Sequence, residues 1–501
     1  MRQRLVALVT FSGFLLAQAP TGEIVGAVTD PSGAAVSGAA VTVSNPATNM
    51  QRAAATNEAG IFAVPALPPG TYTVKVEAQG FATQVRSEIE LQVGQIARFD
   101  FNLRVGNVSE IIEVQGGAPV LETETTSLGA VIENRRIVEL PLNGRNYLQL
   151  ASLIPGATTA ASPSVVNQLR MGGARADFTL VVSGQRLSYN HYTLDGVENT
   201  DVNFGSYYLL PSIDALQEFR VETGLFPAEY GRGTSQVNVT TRTGTNAFHG
   251  SVFEFVRNAK FDAKNFFDRP AAPIPPFKRN QFGAVVGGPV VRDKVFFMAN
   301  FEGLRERKAL TQVATVPVVP QRAGDFSGFR PVYDPASRVF NAAGQVVSTL
   351  PFANSLIPAN RIHRVARRVL DGFVPVPNST VSPGAGLYVN DEGRRSDSDQ
   401  FTARGDWAQN ASSSWFARFS RSKDLGYVPA ILPVQGNDVE ILIRQGMFGN
   451  TRVIGSNKVN ELRLGVTHMS AFNRQTRAFK DNVVRDLGIP DVPGAGVPLY
   501  Y

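Results

Sequence analysis

The stretch Asp399–Ser420, DQFTARGDWAQNASSSWFARFS, is two alternating segments joined by a turn. In the first, Phe401, Ala403 and Trp407 alternate with Thr402, Arg404 and Asp406. After the turn Asn410–Ser413, Trp415, Ala417 and Phe419 alternate with Arg418 and Ser420. Successive side chains of a strand point to opposite faces, so each segment has one apolar face and one polar face. The polar face carries whole charges at Arg404, Asp406 and Arg418, which suits a wet lumen, while the apolar face suits lipid. The same dyad recurs at Leu462, Leu464 and Val466 against Glu461, Arg463 and Thr467.

Working outward, the pattern places seven strands near residues 247–257, 278–290, 294–305, 398–409, 414–423, 445–455 and 458–473. Tight turns at Val291–Lys294, Asn410–Ser413 and Ser456–Lys458 alternate with much longer links. That rhythm is expected of a barrel with short periplasmic turns and long extracellular loops, and a soluble sandwich would not require it. Bacterial outer-membrane barrels have even strand numbers and lipid tolerates no open edge, so seven strands do not close one. Residues 246–501 therefore read as the N-terminal part of a transmembrane β-barrel, truncated, in an N-terminal fragment of a longer protein. Such a fragment by itself is expected to leave two unpaired edges.

The N-terminal end reads differently. Arg2 and Arg4 precede an apolar run from Leu5 to Ala17, closed by Ala17-Gln18-Ala19. This is the plan of a secretory signal over residues 1–19, with Pro20 as the mature N-terminus. No later stretch is long and apolar enough for a helical membrane span. Residues 22–104 carry short alternating runs at Ile24–Val28, Ala40–Val43, Tyr72–Val76 and Phe99–Leu103, separated by Asp30-Pro31-Ser32-Gly33 and Pro68-Pro69-Gly70. Period two with such turns predicts a small antiparallel sandwich able to fold independently. Residues 105–245 are mixed α/β, with apolar residues at helical spacing in Val131–Leu140 and Tyr147–Leu153. The run Asp214–Glu222 passes from a helical start into a strand.

Composition narrows the chemistry. The 501 residues include no cysteine and four histidines, at 191, 249, 363 and 468. Disulfides, thiolate chemistry, cysteine-ligated zinc and local two-histidine metal motifs are excluded. A net charge of +6, scattered along the chain, gives no support to nucleic-acid binding. No enzyme activity, metal or cofactor is expected.

Several stretches resemble known families. GEIVGAVTDPSGAAVSGAAVTVSN (Gly22–Asn45), TNEAGIF (Thr56–Phe62) and LPPGTYTVKVEAQGF (Leu67–Phe81) are similar to a carboxypeptidase regulatory-like domain. That resemblance implies a transthyretin-like or carbohydrate-binding-like sandwich and no peptidase activity. LPLNGRNYLQLASLIPGA (Leu140–Ala157), TLDGVENTD (Thr193–Asp201), DALQEFRVETGLFPAEYGR (Asp214–Arg232) and VNVTTRTGTNAFHGSVFEF (Val237–Phe255) resemble the plug and plug-to-barrel junction of TonB-dependent outer-membrane receptors of the Oar-like type. FKRNQFGAVVGGPVVRDKVFFMANFEG (Phe277–Gly303), RAGDFSG, YDP and IPANRI resemble the start of that family's barrel. Ser183-Gly184-Gln185-Arg186 departs from the arginine-glycine pair that many of the wider superfamily carry ahead of the LDG motif.

The resemblance implies a mainly β receptor-transporter of the outer membrane with a periplasmic N-terminal domain. A TonB-like periplasmic protein would energise it. Its unidentified extracellular ligand would be a large oligosaccharide, peptide or metal chelate. Glu110, Ile111, Ile112, Glu113 and Val114 are the candidate partner strand, an extended apolar stretch able to add to a partner's sheet. An ordinary strand linking the sandwich to the plug reads equally well. Asp195-Gly196 reads as a hairpin turn or a ligand-facing loop. In Glu229-Tyr230-Gly231-Arg232, Gly231 is free to turn the chain into a strand at Gln236–Thr241. Arg170, Arg175, Arg232 and Arg242 are candidates to pair with acidic lumen residues, and Phe326, Phe329, Tyr333 and Phe340 to stack on a ligand. The alternatives are an exported carbohydrate- or wall-binding sandwich with a non-functional barrel remnant, and an accessory chain of an enzyme.

Overall fold

The computed structural model describes residues 21–115, 127–161, 178–186, 189–201, 206–226, 233–264, 273–309, 312–379, 386–432, 436–455, 458–478 and 482–489. The signal-like segment 1–19 and the positions Glu229, Tyr230, Gly231, Arg232, Arg170 and Arg175 lie outside them. No described helix is long and apolar enough to cross a membrane.

The first unit is a sandwich of nine strands, β1 Gly22–Thr29, β2 Ala40–Asn45, β3 Met50–Ala55, β4 Ile61–Leu67, β5 Gly70–Glu77, β6 Thr83–Leu91, β7 Ile96–Arg98, β8 Phe101–Asn102 and β9 Ile111–Gln115. One sheet has the order β4-β1-β7, with β8 also on β1, and the other β3-β2-β5-β6-β9. The even residues of β1 and the odd residues Val41 and Val43 of β2 point inward. They meet Phe62, Leu67, Tyr72, Val74, Ile89 and Leu103 in an apolar core. The sandwich is not purely antiparallel: β7 and β8 run parallel to β1, and β9 runs parallel to β6. After β6 the chain crosses from one sheet to the other, which brings the next strands beside β1 in its own direction. The predicted run Phe99–Leu103 is accordingly broken, with Phe99 and Leu103 flanking the two-residue β8.

A middle unit follows, built from β10 Gly129–Glu133, β11 Ala157–Ala161, β12 Phe178–Val182, β13 Asn190–Leu194, β14 Val197–Glu198, β15 Thr200–Asp201, β16 Ser206–Tyr207, β17 Leu216–Glu222 and β18 Ser235–Thr241. Its main sheet is mixed, in the order β10-β17-β18-β13-β14. The helical spacing noted above becomes a short α-helix at Asn134–Glu139 and a 3₁₀ helix at Tyr147–Leu153. Asn146 caps the second by accepting a bond from the Leu148 N–H. The run from Asp214 does pass from a helical turn, Ile213–Ala215, into strand β17.

The third unit is one antiparallel sheet of seven strands in sequence order: β19 His249–Asn258, β20 Phe277–Val291, β21 Val295–Ala309, then β26 Gly393–Asn410, β27 Ser413–Val428, β28 Asn437–Ile454 and β29 Lys458–Gln475. The long link between β21 and β26 carries the short strands β22 Gln312–Thr315, β23 Val339–Phe340, β24 Val346–Ser348 and β25 Leu387–Asn390, and a helix at Arg364–Phe373. All seven long strands fall where alternation places them, and several run further toward the long-link end. There the apolar residues give way to charged ones, so the pattern is weaker. Along β27, even positions Arg418, Ser420, Ser422 and Asp424 are buried, and odd positions Phe419, Arg421 and Leu425 are exposed. The buried face of this wall covers the middle unit, whose hydrophobic core takes in Val439, Ile441 and Ile443 from β28.

Candidate functional site: the middle unit against the wall

Strands β13 and β14 form a two-residue hairpin with Leu194 opposite Val197. Its central residues, Asp195 (φ 51°) and Gly196 (φ 80°), both take the left-handed conformation that such tight hairpins need. Aspartate tolerates it better than most residues. The turn also carries a buried charge. The Asp195 carboxylate is fully buried and accepts from the Thr241 N–H (2.8 Å), from Arg404 Nη1 (3.1 Å) and from Arg418 Nε (2.6 Å). Arg404 is held in turn by Asp406 at 2.8 Å, and Arg418 donates to Gln445 Oε1 at 2.8 Å. Burial pushes the Asp195 carboxyl up, but the two guanidinium groups and the Thr241 bonds outweigh it and hold it below the ordinary aspartate range. Two wall strands, β26 and β27, thus grip one turn of the middle unit through opposite charge.

A second buried cluster lies further round the wall. Arg145 pairs with Asp214 within the middle unit and lies 3.8 Å from Glu302 on β21. Glu302 also accepts from Ser212 Oγ at 2.5 Å and from Gln281 Nε2 at 2.7 Å. The Arg145 guanidinium stacks over Phe253 of β19, 4.0 Å from the ring centroid. Burial, opposed by Arg145 and reinforced by Glu302, raises the Asp214 carboxyl above its usual range. Arg242, the described member of the arginines singled out from sequence, also lies within electrostatic reach of Asp214. Alternation finds the lumen face, but it does not show that Arg404 and Arg418 belong to the wall while the acid belongs to the turn.

The sandwich meets the middle unit at the loop holding Val93 and Gly94. The Val93 N–H donates to the Glu218 carboxylate, and Arg220 Nη1 donates to the Val93 carbonyl at 3.3 Å. Glu218 and Arg220 are two apart on β17, so they share a face and take both polar groups of a single peptide residue. Gly94 (φ 64°) turns the loop over the Arg220 side chain, 3.8 Å from where a Cβ would sit. Burial pushes the Glu218 carboxyl up to about 7, against the Val93 bond and Arg220. A further bond runs from Arg52 to the Ala411 carbonyl in the β26–β27 turn, which puts the sandwich on the short-turn side of the wall. Between the three units lies a cleft open to solvent, lined by Asn45, Tyr72, Thr240, Arg404, Asp406 and Phe416.

The candidate partner strand is divided between two settings. Glu110 lies in the turn before β9, and its carbonyl accepts from the Thr83 N–H at 2.8 Å. Ile111, Ile112, Glu113 and Val114 lie in β9, in register with Thr83 to Arg86. They extend the sandwich's second sheet past Arg104, with Ile111 66% exposed at its border. In the long link, Phe326 and Phe329 pack edge to face at 6.3 Å, while Tyr333 and Phe340 are exposed.

Residues 240–499 match the outer membrane beta barrel domain family, and residues 23–104 match the carboxypeptidase regulatory-like domain. The TonB-dependent transporter Oar of Myxococcus xanthus is 28% identical over 269 residues, covering 52% of this chain and 24% of the relative. The chain thus spans about a quarter of the length of that relative. Among solved structures, the outer membrane transporter YddB from Escherichia coli is similar over 70% of this chain and 40% of its own, at 10% identity and a TM-score of 0.43. The siderophore receptor PirA from Acinetobacter baumannii is similar over 70% and 46%, at 14% identity and a TM-score of 0.35.

Proposed function

The chain belongs to the outer membrane beta barrel domain family, and from that premise we propose that it serves in uptake as a TonB-dependent receptor, with the middle unit as its plug. The observation that carries this reading is the buried grip of Arg404 and Arg418 on Asp195. A domain resting on a wall needs only apolar contact, whereas a plug must seat in one register and still be released. Buried opposite charges suit that task, because they fix register strongly while adding little net stability over apolar packing.

In this reading the wall stands in the outer membrane, its long links face outward, and the sandwich hangs in the periplasm. A large solute, an oligosaccharide, peptide or metal chelate, binds on the long-link side. A TonB-like protein adds a strand to Glu110–Val114 and pulls, and the plug parts from the wall at the cleft between the three units. No bond is made or broken in any substrate. Asp195-Gly196 is the seat of the plug rather than a ligand contact, since its carboxylate is fully buried.

Fractionation with a partner-binding assay tests this. In its native cells the protein should be found in the outer membrane and bind the C-terminal periplasmic domain of a TonB-like protein, and I112P should abolish that binding. Recovery in the soluble fraction would overturn the membrane reading. Undiminished partner binding by both I112P and a variant lacking residues 107–115 would overturn the role of β9.

A further inference from the structure

One end of the sandwich reaches across the seam between the middle unit and the wall. The turn Pro46–Asn49 between β2 and β3, the pair Pro68-Pro69 before β5 and the loop Gln92–Gln95 after β6 all lie at that end. The loop holds the middle unit, because Val93 donates to Glu218 and accepts from Arg220, both on β17. The turn holds the wall. The Ala47 carbonyl accepts from the Asn246 N–H at 2.9 Å. The side chain of Asn246 is itself fixed to Asp293, in the β20–β21 turn, by two bonds of 2.8 Å. Beside it, Arg52 on the edge strand β3 donates to the Ala411 carbonyl in the β26–β27 turn.

The two attachments differ in kind. On the middle unit every charge is matched: Arg220 is neutralised by Glu222 at 3.0 Å, and Glu218 accepts from Val93. On the wall, Arg52 is only 4% exposed, yet its bond is to a neutral carbonyl and its Nε has no partner. Among the described residues no carboxylate forms an ion pair with it. A cation buried without a counter-ion gives up its hydration for little return. Between the attachments lies the open cleft rather than a packed core. Contacts of this kind resemble transient interfaces, which open readily.

We propose that the sandwich is a strap that holds the middle unit in the wall at rest, with Arg52 as its releasable end. The proposal rests on the plug reading given above. The plug cannot leave while the sandwich is bonded to both sides, since Val93 moves with β17 and Arg52 stays with Ala411. The wall bond is the one that gives, because release returns the Arg52 guanidinium to water and the regained hydration offsets the lost bond. The sandwich then travels with the plug. The sheet order β3-β2-β5-β6-β9 puts Arg52 and the candidate partner strand on opposite edges, roughly 20 Å apart at four strand spacings. A pull at β9 therefore carries β6 and its plug loop along while it loads the far edge at β3.

A single cysteine reports on this, because the chain has none of its own. Ala215 of the middle unit is fully buried and packs with Val285 and Met298 of the wall. In native cells lacking the TonB-like partner, labelling of A215C by a thiol reagent reads how often the plug parts from the wall unaided. The parent should be protected, and R52A should raise the labelling rate about fivefold. A variant lacking residues 22–104 should match R52A, which decides the matter if R52A fails to fold. K75Q, which removes an exposed cation from the same sheet, should leave the rate unchanged. Unchanged protection in either R52A or the deletion, once that variant has reached the outer membrane, would overturn the proposal, as would an equal rise in K75Q. Free labelling of A215C in the parent would count against the plug reading instead, so the two failures are distinguishable.

Discussion

The sandwich and the seam between the middle unit and the wall are both buried, yet they are built from opposite materials. The sandwich core is built from apolar side chains, from Ile24 to Leu103. At the seam, Asp195, Arg404, Arg418, Arg145, Asp214 and Glu302 lie out of water. An apolar core has no orientation to enforce and gains stability roughly with buried area. A charged seam gains little net stability, because desolvation offsets attraction, but it penalises any misplacement severely. One unit is built to stay folded, and the other is built to sit in one place.

Removing one partner from the seam should therefore cost most. D195A strands two buried guanidinium groups and is expected to destabilise the folded chain by about 3–5 kcal/mol, read as a lowered temperature of heat-modifiable migration. A loss of under 1 kcal/mol would mean that water reaches the seam. In the sandwich, L103A should cost about 2–4 kcal/mol through the cavity it leaves, and residues 22–115 expressed alone should melt cooperatively with and without that change. A noncooperative melt of the parent fragment would refute the independence of this unit.

The joint between the two regions is sensitive to pH. Glu218 is raised to about 7 in the folded chain, from an ordinary value near 4.5. The folded state therefore binds the extra proton between those limits, and the stability this group lends is complete below about 4.5 and lost as pH rises through about 7. E218Q should flatten that dependence, leaving the chain more stable than the parent at pH 8 by of order 1–3 kcal/mol. Melts that slope equally in parent and variant would show that the loop at Val93 is not held in this way. The smallest effect is expected on the outward face, where D397N removes an exposed partner of Arg307 and should change stability by no more than about 0.5 kcal/mol.

What could be read from sequence follows the same division. Period two is a local signal, and it placed all seven wall strands because their inner and outer faces see different solvents. It shortened them where both faces turn polar, as at Arg394–Ser398 of β26. The sandwich strands with the cleanest alternation, β1, β2 and β5, were legible. Strands β3, β4 and β6 were not: β3 reads MQRAAA and β4 carries Pro65, which weaken the pattern. The hairpin at Asp195-Gly196 was legible from turn chemistry. Its grip on Arg404 and Arg418 was not, since more than two hundred residues separate the partners and only folding brings them together.

The central claim, that the middle unit fills the lumen side of an outer-membrane wall, is open to a direct measurement because the chain has no cysteine of its own. A Cβ added at Gly465 on β29 would lie 3.1 Å from the Val197 Cβ on β14, so V197C/G465C places two thiols within disulfide reach across the seam. Mild oxidation of isolated outer membranes should join them in nearly every molecule, giving a faster-migrating band that reductant reverses, while V197C paired with F419C on the outward face should stay open. Absence of the V197C/G465C crosslink in outer membranes, or equal crosslinking to F419C, would contradict the account.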